Sequence, residues 1–178
     1  MEELMRKYGN NNYKIATDKA IGHTYGAAYE QILAPYKNVP IRLLEIGICS
    51  GASLLCWREY FPHGEIIGVD IDVKQILYPL PNITTIEVDA TKEESLDIIQ
   101  GNFDIIIDDG SHEPMHQLAT LNLYHSRLNK GGLMIIEDVS TAMDMLATRG
   151  YELGLEVLVY DNRNNYAPDD ALVIFRKT

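Results

Sequence analysis

The sequence predicts a doubly wound α/β fold built on a mostly parallel, seven-stranded sheet, and three observations carry that prediction. Short apolar runs alternate with helical patterns from residue 41 to about residue 140, the signature of βαβ units with helices on both faces of a parallel sheet. These runs end on acids: Glu45, Asp70, Asp89, Asp108-Asp109 and Glu137-Asp138. In such sheets ligands collect outside the carboxyl ends of the strands. Two late β-rich runs, 155–160 and 171–175, are joined by a polar loop and read as an antiparallel C-terminal hairpin.

The chain of 178 residues is long enough to bury one sizeable core. We expect one structural domain, with an N-terminal helical segment over residues 1–40 packed on a core spanning 41–178. Acids outnumber Lys and Arg by 26 to 15, for a formal charge of -11. This leaves no basic patch for phosphate backbones or anionic lipid, so no nucleic-acid or membrane partner is expected. Cys49 and Cys56 match no zinc spacing. The N-terminus lacks the apolar stretch of a signal peptide, and no run of about 18 apolar residues appears. The expectation is a soluble, cytoplasmic protein with reduced thiols.

Taken in order, Asn10-Asn11-Asn12 marks a loop. A helical pattern starts at Thr17, a capping residue, and continues through Ile21, Tyr25, Ala28, Tyr29, Ile32 and Leu33 to Pro35. His23, Tyr25 and Tyr29 either line a site or, as aromatic stripes more often do, pack in the core. Residues 41–46 read as a strand, 54–61 as a helix, 65–70 and 83–89 as strands, and 91–100 as a helix. Residues 103–108, Phe-Asp-Ile-Ile-Ile-Asp, have the character of a strand buried on both faces. A helix follows over 115–128, then Gly131-Gly132, a strand over 133–136, and a helix over 141–149.

After the first strand, Gly47 and Gly51 precede a helix, while Cys49 occupies the middle position of the dinucleotide pattern. The third glycine is missing and no Walker lysine follows, which argues against pyrophosphate. Asp70, about 20 residues on, suits ribose hydroxyls, and Asp89-Ala90 suits an exocyclic amine. Each acid alone reads equally well as a helix cap; together they favour a nucleoside without phosphates, and S-adenosyl-L-methionine fits. At the next two strand ends, Asp108, Asp109, Glu137 and Asp138 would repel one another, raising some pKa values or recruiting a cation. Oxygen donors of this kind suit Mg2+ or a similar divalent cation. His112, three residues past Asp109, is placed to act as a general base. The plainer reading makes Glu137-Asp138 a cap for a helix at Ser140-Thr141.

Thr17-Asp18-Lys19 with His23-x-Tyr25, Leu44-Glu45-Ile46-Gly47, Gly51-Ala52-Ser53-Leu54, Gly68-Val69-Asp70, Asp108-Asp109-Gly110-Ser111-His112 and Ile136-Glu137-Asp138 together resemble the macrocin and mycinamicin sugar O-methyltransferase family. That family is a metal-dependent branch of the class I S-adenosylmethionine-dependent methyltransferases. The resemblance runs from about residue 17 to 140, with a looser match at Asp169-Asp170. It implies the Rossmann-like class I fold and metal ligation by Asp109, Glu137 and Asp138. It also implies a catalytic pair of His112 as base with Asp109. Cofactor contacts would fall on Glu45, Gly47, Gly51, Ser53, Asp70, Asp89 and Ala90, with Asp108 on the cofactor side. The expected substrate is a hydroxyl of a sugar or glycosylated small molecule. Relatives acting on macrolide sugars are longer, which leaves a compact lid or a homo-oligomer neighbour to close over the substrate. Two rival readings use the same scaffold: hydroxylase-type chemistry, and a non-catalytic cofactor-binding or assembly protein.

Overall fold

The computed structural model describes residues 1–9, 17–77 and 79–178; the asparagine loop at 10–12 lies outside them. Seven strands form one sheet: β1 (Arg42–Ile46), β2 (Glu65–Asp70), β3 (Ile83–Glu87), β4 (Phe103–Asp108), β5 (Leu128–Ile136), β6 (Glu156–Asp161) and β7 (Ala171–Arg176). Their order is β3-β2-β1-β4-β5-β7-β6. The first five pair in parallel, and β7 is antiparallel to both β5 and β6. The late hairpin is therefore inserted, with β7 inside the sheet and β6 at the edge.

Strand alternation divides the core. Leu43, Ile105, Ile107, Leu133 and Ile135 face Tyr29, Leu54 and Trp57 on one side. That side is covered by α1 (Glu2–Tyr8), α2 (Gly26–Leu33) and α3 (Ala52–Tyr60). Leu44, Ile106, Met134 and Ile136 face Leu121, Tyr124 and Leu146 on the other, under α5 (Pro114–Tyr124) and α6 (Met143–Glu152). The single-turn α4 (Ser95–Ile98) lies between β3 and β4. Burial of β4 on both faces accounts for its isoleucine run. Among the described residues no helix is long and apolar enough to cross a membrane.

The chain winds outward through β1, β2 and β3, then crosses back to place β4 on the other side of β1. This is the switch point at which a crevice opens. Register carries the site residues to one rim, with Ile46 beside Asp108 and Asp108 beside Ile136. The loops that follow these strands start with Gly47, Asp109 and Glu137. Gly47 has φ +81°, and a Cβ there would collide with the Asp109 carbonyl. The two loops touch, so the position requires glycine.

Several boundaries differ from the sequence expectation. The helix expected from Thr17 begins at Gly26. The Asp18 carbonyl instead accepts from the N–H groups of Ile21, Gly22 and His23, a turn that sends Lys19, His23 and Tyr25 inward together, which a helix face would not. Thr17 caps no helix. The expected helix at 91–100 shrinks to α4, because Asp89 accepts from the Thr91 N–H and hydroxyl and ties the chain into a turn. β3 ends at Glu87, two residues before Asp89. β5 starts at Leu128 and includes Gly131-Gly132, with an irregular register opposite Phe103 and Ile105. Helix α6 starts at Met143 with Ala142 as its N-cap residue, so Glu137-Asp138 does not cap it.

Candidate active site

At the carboxyl rim of β1, β2, β3 and β4 lies a cavity of about 380 Å3. Gly47, Asp70, Asp89, Ala90, Asp108, Asp109 and His112 line it, together with Ile71, Gln117 and Thr120. A second cavity of about 290 Å3 shares Gly47, Asp109 and His112 and adds Thr17, Asp18 and Ser53. Glu45 and Gly51 reach neither as the sequence expected: Gly51 turns beneath Leu80, and the fully buried Glu45 accepts from the Ser53 hydroxyl at 2.8 Å.

Backbone N–H groups and threonine hydroxyls hold the acids of the larger cavity. Asp70 Oδ2 accepts from the N–H groups of Ile48 at 2.9 Å and Cys49 at 3.1 Å, and Oδ1 from Asp72 at 3.1 Å. The acid that would meet a ribose thus also shapes the glycine loop. Asp89 is held by Thr91, whose hydrogen bonds, against a slight burial cost, keep its carboxyl below the usual carboxylate range. Asp108 accepts from the Thr120 hydroxyl and the Gly110 N–H. Its burial pushes its pKa up to about 6, against the Thr120 hydrogen bond.

The second set of acids is held by side chains from the N-terminal segment. Lys19, 1% exposed, places Nζ 2.5 Å from Asp109 Oδ2 and 2.8 and 2.9 Å from the two Glu137 oxygens. Tyr29 donates to Glu137 Oε1 at 2.5 Å, and Tyr25 to Asp138 Oδ1 at 2.6 Å. The turn that delivers Lys19 is anchored to the hairpin. The Thr24 N–H and hydroxyl donate to Asp170 at 3.0 and 2.7 Å, and Asn162 donates to the same carboxylate. Lys19 and Asp170 are site-building residues given no role from the sequence, while Tyr25 and Tyr29, read there as site-lining or core, do both. Their only sequence signals were the aromatic spacing and the short motifs around Thr17 and Asp169.

His112 closes the group. Its backbone is left-handed, φ +59°, as is that of Asp138, φ +54°. Outside glycine this conformation is uncommon, and strain of this kind clusters at functional sites. The His112 Nε2 lies 3.3 Å from Asp109 Oδ1 and 3.5 Å from Asp138 Oδ2. The hydrogen bond to Asp109, against partial burial, pushes the imidazole pKa up to about 9. Burial would raise Asp109, but Lys19 and His112 outweigh it and hold that carboxyl below its usual range. Burial and the neighbouring Asp109 charge raise Asp138. Burial would deprotonate Lys19, yet Asp109, Glu137 and Glu45 together keep it an ammonium.

Asp109, His112 and Asp138 each present a ligand atom within 4.8 Å of the others. Two hard carboxylates at this spacing fit a Mg2+-like ion that keeps open positions for substrate oxygens. Glu137 stands beside them with its oxygens turned to Lys19 and Tyr29.

A methyltransferase-domain family model matches residues 44–139, which run from within β1 past the end of β5 and include the rim acids from Asp70 to Asp138. The chain is 39% identical over 137 residues to the 8-demethyl-8-alpha-L-rhamnosyl tetracenomycin-C 2'-O-methyltransferase of Streptomyces olivaceus, covering 71% of this chain and 36% of that protein. It is 38% identical over 130 residues to the mycinamicin VI 2''-O-methyltransferase of Micromonospora griseorubida, covering 67% of this chain and 32% of that protein. The match spans about a third of the length of these curated relatives. The structure of MycE methyltransferase from the mycinamycin biosynthetic pathway, solved with Mg, SAH and mycinamycin VI, superimposes with a TM-score of 0.76 at 25% identity. That superposition covers 99% of this chain and 54% of MycE.

Proposed function

The chain belongs to the methyltransferase-domain family, and from that premise we propose that it is an S-adenosyl-L-methionine-dependent, Mg2+-assisted O-methyltransferase acting on a hydroxyl of a sugar or glycosylated small molecule. One observation carries the proposal. The cavity lined by Asp70 and Asp89 is also lined by Asp109 and His112, two members of the Asp109, His112 and Asp138 cluster. A nucleoside cofactor bound in this cavity would share its space with the proposed proton acceptor.

In the proposed arrangement Asp70 takes the ribose hydroxyls and Asp89-Ala90 the adenine edge, while Gly47 lets the cofactor lie against the backbone. Asp109 and Asp138, with Glu137 beside them, would hold the divalent ion. A bound Mg2+ would lower the pKa of a coordinated hydroxyl and compete with the His112 imidazolium for the same carboxylates. His112 Nε2 then accepts the proton of the substrate hydroxyl. Bound S-adenosylmethionine would supply the methyl: as that oxygen bonds to the methyl carbon, the carbon–sulfur bond would break with its electron pair staying on sulfur. The products are the methyl ether and S-adenosylhomocysteine, with the proton on His112. Alignment of the three reacting atoms supplies most of the rate. The rhamnosyl and mycinamicin relatives support a sugar hydroxyl as acceptor.

The test is to incubate the protein with S-adenosylmethionine carrying a 13C methyl, a panel of rhamnosylated polyketides and macrolide glycosides, and either Mg2+ or EDTA. Mass spectra should show one labelled methyl on a sugar hydroxyl with Mg2+ and none with EDTA. Undiminished transfer in EDTA would remove the metal from the account, and no transfer to any glycoside would remove the sugar.

A further inference from the structure

Lys19 has no part in the chemistry above, yet it is the most deeply placed cation of the rim. It enters from the turn before α2, 1% exposed, and its ammonium faces Asp109, Glu137 and, at 3.7 Å, Glu45 Oε1. That Glu45 oxygen has no hydrogen-bond partner among the described residues, so Lys19 is the positive charge it meets. Burying an ammonium costs several kcal/mol unless its partners are well placed. A neutral donor would satisfy any one of these carboxylates at lower cost. What needs a full positive charge is their convergence: Glu45, Asp109 and Glu137 all lie within 4 Å of one ammonium.

We propose that Lys19 is the resident cation of this centre: it holds the carboxylates together without a divalent ion and, by sharing Asp109 and Glu137, keeps that ion's affinity low enough for exchange. This rests on the metal-binding part of the function proposed above. Lys19 is a positioning residue acting through Asp109 and Glu137. The ammonium and the divalent ion draw on the same cluster of carboxylates, with Lys19 on Asp109 Oδ2 and His112 on Asp109 Oδ1, so the consequence has a sign. Removing the lysine charge leaves a more negative cluster that binds a divalent ion more tightly while folding less well without one.

The test uses the whole chain and Mn2+ alone, read by calorimetry and by thermal melting. K19M should bind Mn2+ about tenfold or more tightly than wild type, melt lower in EDTA, and recover most of that loss when Mn2+ is added. K19R, which keeps the charge, should retain the wild-type Mn2+ affinity. A lysine with a merely structural role would give a K19M whose Mn2+ affinity is equal to or below wild type, which overturns the proposal. Should K19M fail to fold, wild type carries the test. Its Lys19 Nζ resonance should shift on addition of Mg2+, with the same midpoint as calorimetric Mg2+ binding. An unmoved resonance overturns the proposal. Failure of the underlying metal reading looks different: neither wild type nor K19M would then bind the ion.

Discussion

The acids at the ends of β2 and β3 and those after β4 and β5 share residue type and rim, yet they are held in opposite ways. Asp70 and Asp89 are fixed by N–H and hydroxyl groups of nearby turns and keep a face toward the cavity. Asp109, Glu137 and Asp138 are held by side chains of Lys19, Tyr29 and Tyr25, more than eighty residues away in sequence. Local backbone donors orient a carboxylate without burying it, which suits the reversible recognition of hydroxyls. Distant side chains bury Glu137 and Asp138 and leave Asp109 at the cavity wall, where charge–charge interaction is stronger than in water. One rim thus holds its acids in two ways, and on the proposed function these are a binding half and a reacting half that can be perturbed separately.

The largest expected effect breaks the reacting half alone. His112→Ala should lower kcat by about 10^2 to 10^4-fold, the usual contribution of a general base, while S-adenosylhomocysteine binding by calorimetry stays within about twofold. Gly47→Ala strikes where the halves touch. It needs a left-handed backbone and collides with the Asp109 carbonyl, so it should destabilise by roughly 2–4 kcal/mol in denaturant titrations. Tyr29→Phe removes one donor from buried Glu137 and should cost about 1–3 kcal/mol. For a domain of this size, each kcal/mol lowers Tm by about 2–4 °C. The smallest effect is electrostatic. His112 has a folded pKa of about 9, above the ordinary 6.5, so its contribution to stability is complete below pH 6.5 and fades as pH rises through 9. Without metal, the Tm difference between wild type and His112→Ala should be widest near about pH 6 and closed by about pH 10.

The same contrast explains what was legible in the sequence. Strand runs, glycine turns and the acids after them are local signals, and the sheet and the Asp70–Asp89 wall followed from them. The cage around Asp109 and Glu137 is set by tertiary contact. A Thr17 start and aromatic residues at helical spacing suggested one long helix. The turn at Asp18 instead carries Lys19 and His23 inward, and Tyr25 and Tyr29 spend their hydroxyls on the acids of the rim. Tyrosine spacing alone cannot separate a packed ring from a packed ring whose hydroxyl serves a carboxylate. Glu45 illustrates the reverse: it resembles a cofactor contact by position, but its side chain turns below the rim toward Ser53 and Lys19.

The division into two halves is tested most directly by titrating S-adenosylhomocysteine into wild type, Asp70→Asn and the Asp109→Asn/Asp138→Asn double variant under identical conditions. A carboxylate accepting two hydroxyls is worth about 1.5–3 kcal/mol, so Asp70→Asn should weaken binding by roughly 10 to 100-fold. The double variant should bind within about threefold of wild type, since on the proposed function its acids serve the metal and the proton and not the cofactor. Wild-type affinity in Asp70→Asn, or collapse of binding in a folded double variant, would contradict the account.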